Sequence, residues 1–551
     1  MCRLKTNRPG NPATRQHRLP RISALSLALC SALLFCLSCG GGVGTASSSS
    51  DPPPQAVPLS ASDVTTIVQA AVNAVNAPMV VAVSDRAGNI LAVYDTAGAP
   101  TTSLGNFGGL LADNLVAAND LAAALARTAA FFSNDQAPLS SRTVRFISGI
   151  HFPPGIANTP NADLYGIENT NRGCTLAPPA SFLPGQGLTP STLLDGTVPG
   201  LGIVTGKVDT NDSPPSPANP GVNPSGVPIF RGGFLVGGIG VVSTSIAVSE
   251  YAAFTAAFPT GLPQLPPPGA VVIGGIAVPF VNQTSLPPGA APGPFPGTGT
   301  YVVPPMPGVV PPEKYLIGPN AGQLLAASDV DEIITNAVDT AMITRAVIRL
   351  PENTHTAMSI AVSDLDGTIL GLYRMHDGTV FSVDVASSKA RNVVWFSTTG
   401  VADLPGVPSS TAVTNRTISF GSQPLFPPGI DGSNPGPFFP LYLYDTANPC
   451  TQGPSSAAFP PPNTNNMSGV VFFPGSLPLY RNGVLVGGLG VSGDGVDQDD
   501  FVTAGAVNAA CGLGGPCGIP DFQAPPTIRA DQVVIDNVRL PYQKFPRNPT
   551  Q

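Results

Sequence analysis

Apolar residues recur at helical spacing after Ser62-Asp63, where Val64, Ile67, Val68, Ala71, Val72 and Val75 form one stripe. The same pattern follows Ser328-Asp329, with Val330, Ile333, Ile334, Ala337 and Val338. Such a stripe predicts an amphipathic helix, and Ser-Asp is suited to cap its start. Each helix is followed by two β-prone runs, 79–84 with 90–94 and 358–363 with 369–373. Their connections, Asp85-Arg86-Ala87-Gly88-Asn89 and Asp364-Leu365-Asp366-Gly367-Thr368, predict hairpin turns. The second copy carries an extra stretch, 343–356, before its hairpin. A further helix is predicted over 117–132, containing LARTAAFFS, and over 383–396, containing KARNVVWFS. These align Arg127 with Arg391 and Phe131 with Trp395. Then SSRTVRFISGIHFPPGI, ending at Ile156, matches TNRTISFGSQPLFPPGI, ending at Ile430, with Arg142 opposite Arg416.

The most informative stretch is 477–501, LPLYRNGVLVGGLGVSGDGVDQDDF, which has a near copy at 227–254. An offset of 250 puts Arg231 on Arg481, Val236-Gly237-Gly238 on Val486-Gly487-Gly488, Gly240 on Gly490 and Glu250 on Asp500. Arg481-Asn482-Gly483 predicts a tight hairpin turn, because Asn-Gly tolerates positive φ. Glycine weakens a strand, so Gly487, Gly488 and Gly490 need another reason. Two readings stand: a close helix-on-sheet contact, or approach of a flat ligand. A helix is predicted from about Asp497, where Asp497, Asp499 and Asp500 suit the positive N-terminal dipole.

Each copy thus reads helix, hairpin, helix, loop, hairpin, helix. That is α+β with an antiparallel sheet, repeated within one chain. The units span 61–258 and 326–512. The Pro/Gly-rich stretch 259–325 is expected to be a semi-rigid linker, and the Ser/Pro-rich 40–60 a flexible tether. Long Gly/Pro/Asn insertions interrupt both units, about 157–225 and 431–468. In the tail, 513–551, residues 533–538 are expected to dock as a strand.

Charge changes the picture by exclusion. Six basic residues, Arg3, Lys5, Arg8, Arg15, Arg18 and Arg21, precede the apolar run 22–37 with no acid among them. The remaining 19 basic and 33 acidic residues give −14, which argues against nucleic acid as a partner. The basic and apolar segments, followed by Cys39 and three glycines, form an export-signal pattern spanning 1–39. Leu37-Ser38-Cys39 is similar to a bacterial lipobox, with Cys36 and Leu37 as departures. Cys39 is then the expected site of a lipid anchor to the membrane, in the periplasm or outer membrane, with plain secretion or an uncleaved anchor as the alternatives. An exported chain can oxidise its remaining cysteines, and two pairings are natural: Cys174 with Cys450, and Cys511 with Cys517.

Taken together, AVSDLDGTILGLYRMHDG, VASSKARNVVWFS, the FPPG segment, LPLYRNGVLVGGLGVSGDG and the acidic helix start make both units resemble the GlcG/HbpS-type haem-binding domain, also called the haem-degrading family. The second copy is nearer the pattern. The first has Tyr94-Asp95-Thr96 in place of the Arg-Met, Leu125 opposite Lys389, and Val242-Ser243 opposite Ser492-Gly493. The resemblance implies two tandem profilin-like domains, each a central antiparallel sheet packed with helices. It also implies oligomers in many members and binding of haem or another tetrapyrrole in some.

Iron in haem is usually held by His, Cys, Met or Tyr. Three histidines follow the signal: His151, His355 and His376. His376, in Arg374-Met375-His376-Asp377, is the candidate iron ligand, against the plainer reading of a solvated loop histidine. Arg374 and Lys389 match family positions and can pair with a propionate, or serve as structural cations. Gly487 and Gly488 complete the candidate ligand-binding set. No G-x-S-x-G, H-E-x-x-H or P-loop occurs. The expectation is an exported, non-catalytic protein binding haem or a related small ligand, its two domains packed as a pseudo-dimer. The alternatives are an interaction lipoprotein using its Pro/Gly loops, and a haem-degrading enzyme.

Overall fold

The periodicities of the sequence become two α+β units of the same strand order. The computed structural model describes residues 56–104, 115–174, 203, 223–258, 271–448, 450–458, 466–507 and 522–550. Cys39, the tether, and the pair Cys511 and Cys517 lie outside these residues. The first unit runs α1 (Ala61–Ala74), β1 (Met79–Asp85), β2 (Ile90–Thr96), α2 (Ala118–Phe132), α3 (Ser141–Phe146), β3 (Gly226–Arg231), β4 (Phe234–Ser243) and α4 (Ile246–Ala257). Between the units come β5 (Gly299–Val303) and β6 (Lys314–Ile317). The second runs α5 (Ala327–Ile343), β7 (Ser359–Ser363), β8 (Ile369–Arg374), α6 (Phe381–Phe396), α7 (Asn415–Gly421), α8 (Phe439–Ala447), β9 (Ser476–Arg481), β10 (Val484–Ser492) and α9 (Val496–Val507).

Each sheet has five antiparallel strands, ordered β3-β4-β1-β2-β5 and β9-β10-β7-β8-β6. The central strands read as continuous apolar runs because both of their faces are buried. Val81 and Val83 of β1 pack with α1 and α4, while Val80 and Ala82 pack with α2. The second unit repeats this, with Ile360 and Val362 on one face and Ala361 on the other.

The glycine strands are explained by α2 and α6. A Cβ at Gly238 or Gly240 would collide with the carbonyl oxygens of Ala126 and Ala122. At Gly488 and Gly490 the carbonyls are those of Ala390 and Ala386. Only glycine lets a helix backbone approach a strand this closely. The turn glycine has a separate reason: Asn482 and Gly483 adopt φ of 52° and 78°.

Three expectations are corrected. The linker is not a spacer: β5 pairs with β2 and β6 pairs with β8, so 271–317 supplies the edge strand of each sheet. The tail docks without a sheet strand. Among the described residues Val534–Ile535 pairs only with Val538–Arg539, while Tyr480 N donates to Phe522 O and Thr414 Oγ1 to Tyr542 O. Finally, α1 starts two residues earlier than Ser62-Asp63 implies, with Ser60 as its cap and Asp63 completing a capping box.

The units share a core. Phe132, Val144 and Ile147 of the first pack with Val380, Phe381, Val471 and Phe473 of the second, and the Phe132 and Phe381 rings stack at 4.1 Å. Their FPPG loops meet through reciprocal bonds, Asn158 N to Asp431 Oδ2 and Asp431 N to Asn158 Oδ1. Cys174 and Cys450 form a disulfide across 276 residues of sequence. Converting both to alanine is expected to lower the unfolding free energy by about 2–4 kcal/mol. A urea titration of the variant, with reduced wild type matching it, checks this.

Candidate functional site

A cavity of about 270 Å³ lies where the two units meet. Its wall is assembled from distant segments. Phe132 comes from the end of α2, Phe152 from the first FPPG loop and Phe381 from the first turn of α6. Val347 and Ile348 come from the extra stretch of the second unit, Phe473 from the segment before β9, and Val496 from the start of α9. The lining is mostly apolar, with a few polar groups: Ser492 at the end of β10, Asp499 in α9, Asn161 and Asp163 from the first unit, and Lys544 from the tail. An apolar cavity with few converging polar groups is the usual form of a small-ligand site.

The polar floor is an ion pair. Lys389, on α6, is fully buried; its Nζ donates to Asp499 Oδ2 at 2.9 Å and to Val491 O at 2.8 Å. It also lies 4.9 Å from the centre of the Phe473 ring. Burial pushes Asp499 up to about 7, with Lys389 pulling the other way. Burial likewise lowers the Lys389 ammonium, against the pull of Asp499. Each charge is costly to bury alone, so each depends on the other. Asp500 turns away to Arg416, a pair that the first unit keeps as Glu250 and Arg142.

The first unit lacks this floor. In the repeat register Leu125 stands opposite Lys389, and Ser249 opposite Asp499. Both residues line a cleft of about 730 Å³ at the corresponding place. The counterparts of Lys389 and Asp499 are therefore both uncharged, while the Arg142–Glu250 pair lines that cleft.

The remaining candidates fall elsewhere. Arg374 is fully enclosed: its Nε and Nη2 donate to Gly378 O at 2.9 and 2.6 Å, and its Nη1 to Pro312 O at 3.1 Å. Backbone carbonyls thus occupy the guanidinium that the sequence offered to a propionate. Met375 is buried, and its sulfur accepts from Met358 N. His376 is the opposite case, 82% exposed on its turn, with Nδ1 3.0 Å from Glu313. Gly487 and Gly488 lie under Ser363 O and Ala390 O, which answers the flat-ligand reading against them. His151 is buried between Thr159 O and Asp431, and His355 Nδ1 lies 2.9 Å from Thr356 O. Of the candidate set, Lys389 alone reaches the cavity floor, through Asp499.

Beside the cavity lies a second polar cluster. Asp377 bonds Arg86 from the first unit and Arg349 from the extra stretch; Arg349 also reaches Asp494, and Arg86 reaches Asp135. Burial opposes ionisation of Asp377, yet the two guanidinium groups hold its carboxyl below the usual range. Asp499 was read from sequence only as a helix-dipole partner, and neither Asp377 nor the aromatic wall was read as part of a site. The available signal was the joint change of Lys389 and Asp499 between copies.

Residues 334–508 match the family model described as "Haem degrading protein HbpS-like". Two solved structures are similar to part of the chain. A Klebsiella pneumoniae protein ORFY structure of family model DUF336 is 19% identical, covering 32% of this chain and 85% of its own, with a TM-score of 0.20. A structure titled a PduOC–haem complex is 23% identical, covering 34% of this chain and 96% of its own, with a TM-score of 0.21. No curated protein matches the chain. No His, Cys, Met or Tyr stands among the described residues lining the cavity, so these residues do not fit iron-ligated haem.

Proposed function

We propose, for a chain whose second repeat is a domain of the HbpS-like haem-degrading family, that the protein is an exported binder of a small organic ligand held in the cavity between its repeats. The observation that carries this is the mostly apolar wall over a buried Lys389–Asp499 floor, drawn from both units, the extra stretch and the tail. Export is supported by the basic-apolar-Cys39 pattern of the first 39 residues and by the Cys174–Cys450 bond, since such bonds persist in oxidising compartments. The shared core makes the two repeats an intrachain pseudo-dimer in this reading, with the first repeat serving as part of the wall.

Filling the cavity tests the reading. Indole is expected to bind saturably to the whole chain in calorimetry, and Val496→Phe is expected to weaken it by about tenfold or more while the variant still melts cooperatively. Undiminished binding to Val496→Phe would move the ligand elsewhere.

The second reading is haem itself, favoured by the family description and by the open imidazole of His376. It places haem on the exposed turn, outside the cavity. A saturable Soret shift near one haem per chain, abolished in His376→Ala, would support it. A shift no larger than that of an unrelated acidic protein would remove it.

A further inference from the structure

We propose that the junction cavity selects a protonated amine carried on an apolar body, an inference that rests on the cavity being the ligand site. Among the described side chains of the lining, the buried hydrogen-bonding atoms without a partner are acceptors. Asp499 is 3% exposed, and while its Oδ2 takes the Lys389 proton, its Oδ1 has no hydrogen-bond partner. Asn161 Oδ1 is also without one, its Nδ2 being given to Gln423. Asp163 adds a carboxylate with access to solvent.

The donors, by contrast, are engaged. The Ser492 hydroxyl donates to Ser382 Oγ at 3.2 Å, and Lys544 Nζ lies 2.8 Å from Asp497. Lys389 gives its protons to Val491 O and Asp499. A buried acceptor left unpaired is costly, and a ligand N–H removes that cost on binding. Charge points the same way. Lys389, Arg416 and Lys544 stand among four carboxylates, Asp499, Asp500, Asp497 and Asp163, so these described groups carry one anion in excess, with Lys544 and Arg416 also acting on Asp163. Phe132, Phe152, Phe381 and Phe473 supply rings whose faces attract a cation and whose area takes an apolar body. A ligand carboxylate would instead face Asp163 and Asp499. In the first repeat Leu125 and Ser249 remove the ion pair, so the cleft there lacks this preference.

The test compares phenethylamine, 2-phenylethanol and phenylacetate by calorimetry on the whole chain at about pH 8.5. Phenethylamine is expected to bind one per chain, at least about tenfold tighter than the alcohol, with phenylacetate weakest. Asp163→Asn is expected to lower the amine's affinity about tenfold and leave the alcohol's unchanged. Asp163 is chosen because it is solvent-accessible, whereas Asp499→Asn strands Lys389; a thermal melt verifies that the variant folds. Alcohol or phenylacetate binding as tightly as the amine would overturn the amine preference while leaving the cavity as a ligand site. Binding of none of the three, with indole also failing, would overturn both.

Discussion

Lys389→Leu is expected to lower the unfolding free energy by about 3–5 kcal/mol at pH 8, because Asp499 then has no cation in the core and folding must protonate its carboxyl. Adding Asp499→Ser is expected to restore most of the loss. The first repeat already holds that combination, with Leu125 and Ser249 in the same register and on the same elements. The double-variant cycle therefore measures a coupling that lost packing alone cannot give. The pH dependence has a definite sign. Burial raises Asp499 above its usual value, and loss of Lys389 raises it further. An acid whose folded-state pKa lies above its unfolded value favours the fold when protonated and opposes it as pH rises between the two values. The Lys389→Leu defect is therefore smaller near pH 4 than at pH 8. Urea titrations of wild type, both single variants and the double variant at the two pH values check this. Additive losses in the double variant would mean that the pair is not a unit.

The same pair shows what the sequence could and could not reveal. Helices, hairpins and the repeat register were legible because each rests on local spacing: apolar stripes for α1 and α5, Asn-Gly for the β9–β10 turn, and the Gly-rich strand in two copies. The acids of α9 were read through local physics too, as partners of the helix dipole. In the fold, Asp499 answers to Lys389, 110 residues earlier, and Asp500 to Arg416, 84 residues earlier. Long-range pairing leaves no periodic trace. The edge strands β5 and β6 were hidden for another reason. Prolines and glycines around 299–317 look like a linker by composition, yet an edge strand needs only one side of its backbone paired and tolerates both residues. The cavity was least legible, since its wall is drawn from both repeats, the extra stretch and the tail. The choice between the two readings of Arg374 was hidden for the same reason. Its match to a family position was visible, but the Pro311, Pro312 and Gly378 carbonyls that enclose it come from chain geometry.

Asp377→Ala is expected to uncouple the two repeats. Asp377 holds Arg86 of the first unit and Arg349 of the extra stretch at once, and all three side chains are at least nine-tenths buried. Its carboxylate also accepts the Asp135 backbone N–H, at 3.1 Å, from the first unit. Removing one partner of a buried ion pair costs about 3–5 kcal/mol. Here Arg349 keeps Asp494 and Arg86 keeps Asp135, so the lower end, about 3 kcal/mol, is expected. The loss falls on the contact between units rather than inside either sheet. Unfolding in urea should therefore change from one transition to two, the Cys174–Cys450 bond still tethering the halves. The acid response follows from the depressed pKa of Asp377. A carboxylate held below its unfolded value stabilises the fold above that value and loses this contribution as pH falls through the folded one. Wild type should thus lose part of its repeat coupling in acid, and Asp377→Ala should show little of that change. Asp366→Ala, on the exposed hairpin turn of the second unit, serves as the control and is expected to leave a single transition. A single transition in Asp377→Ala, displaced by less than about 1 kcal/mol, would mean that the aromatic core around Phe132 and Phe381 couples the repeats without the charge cluster.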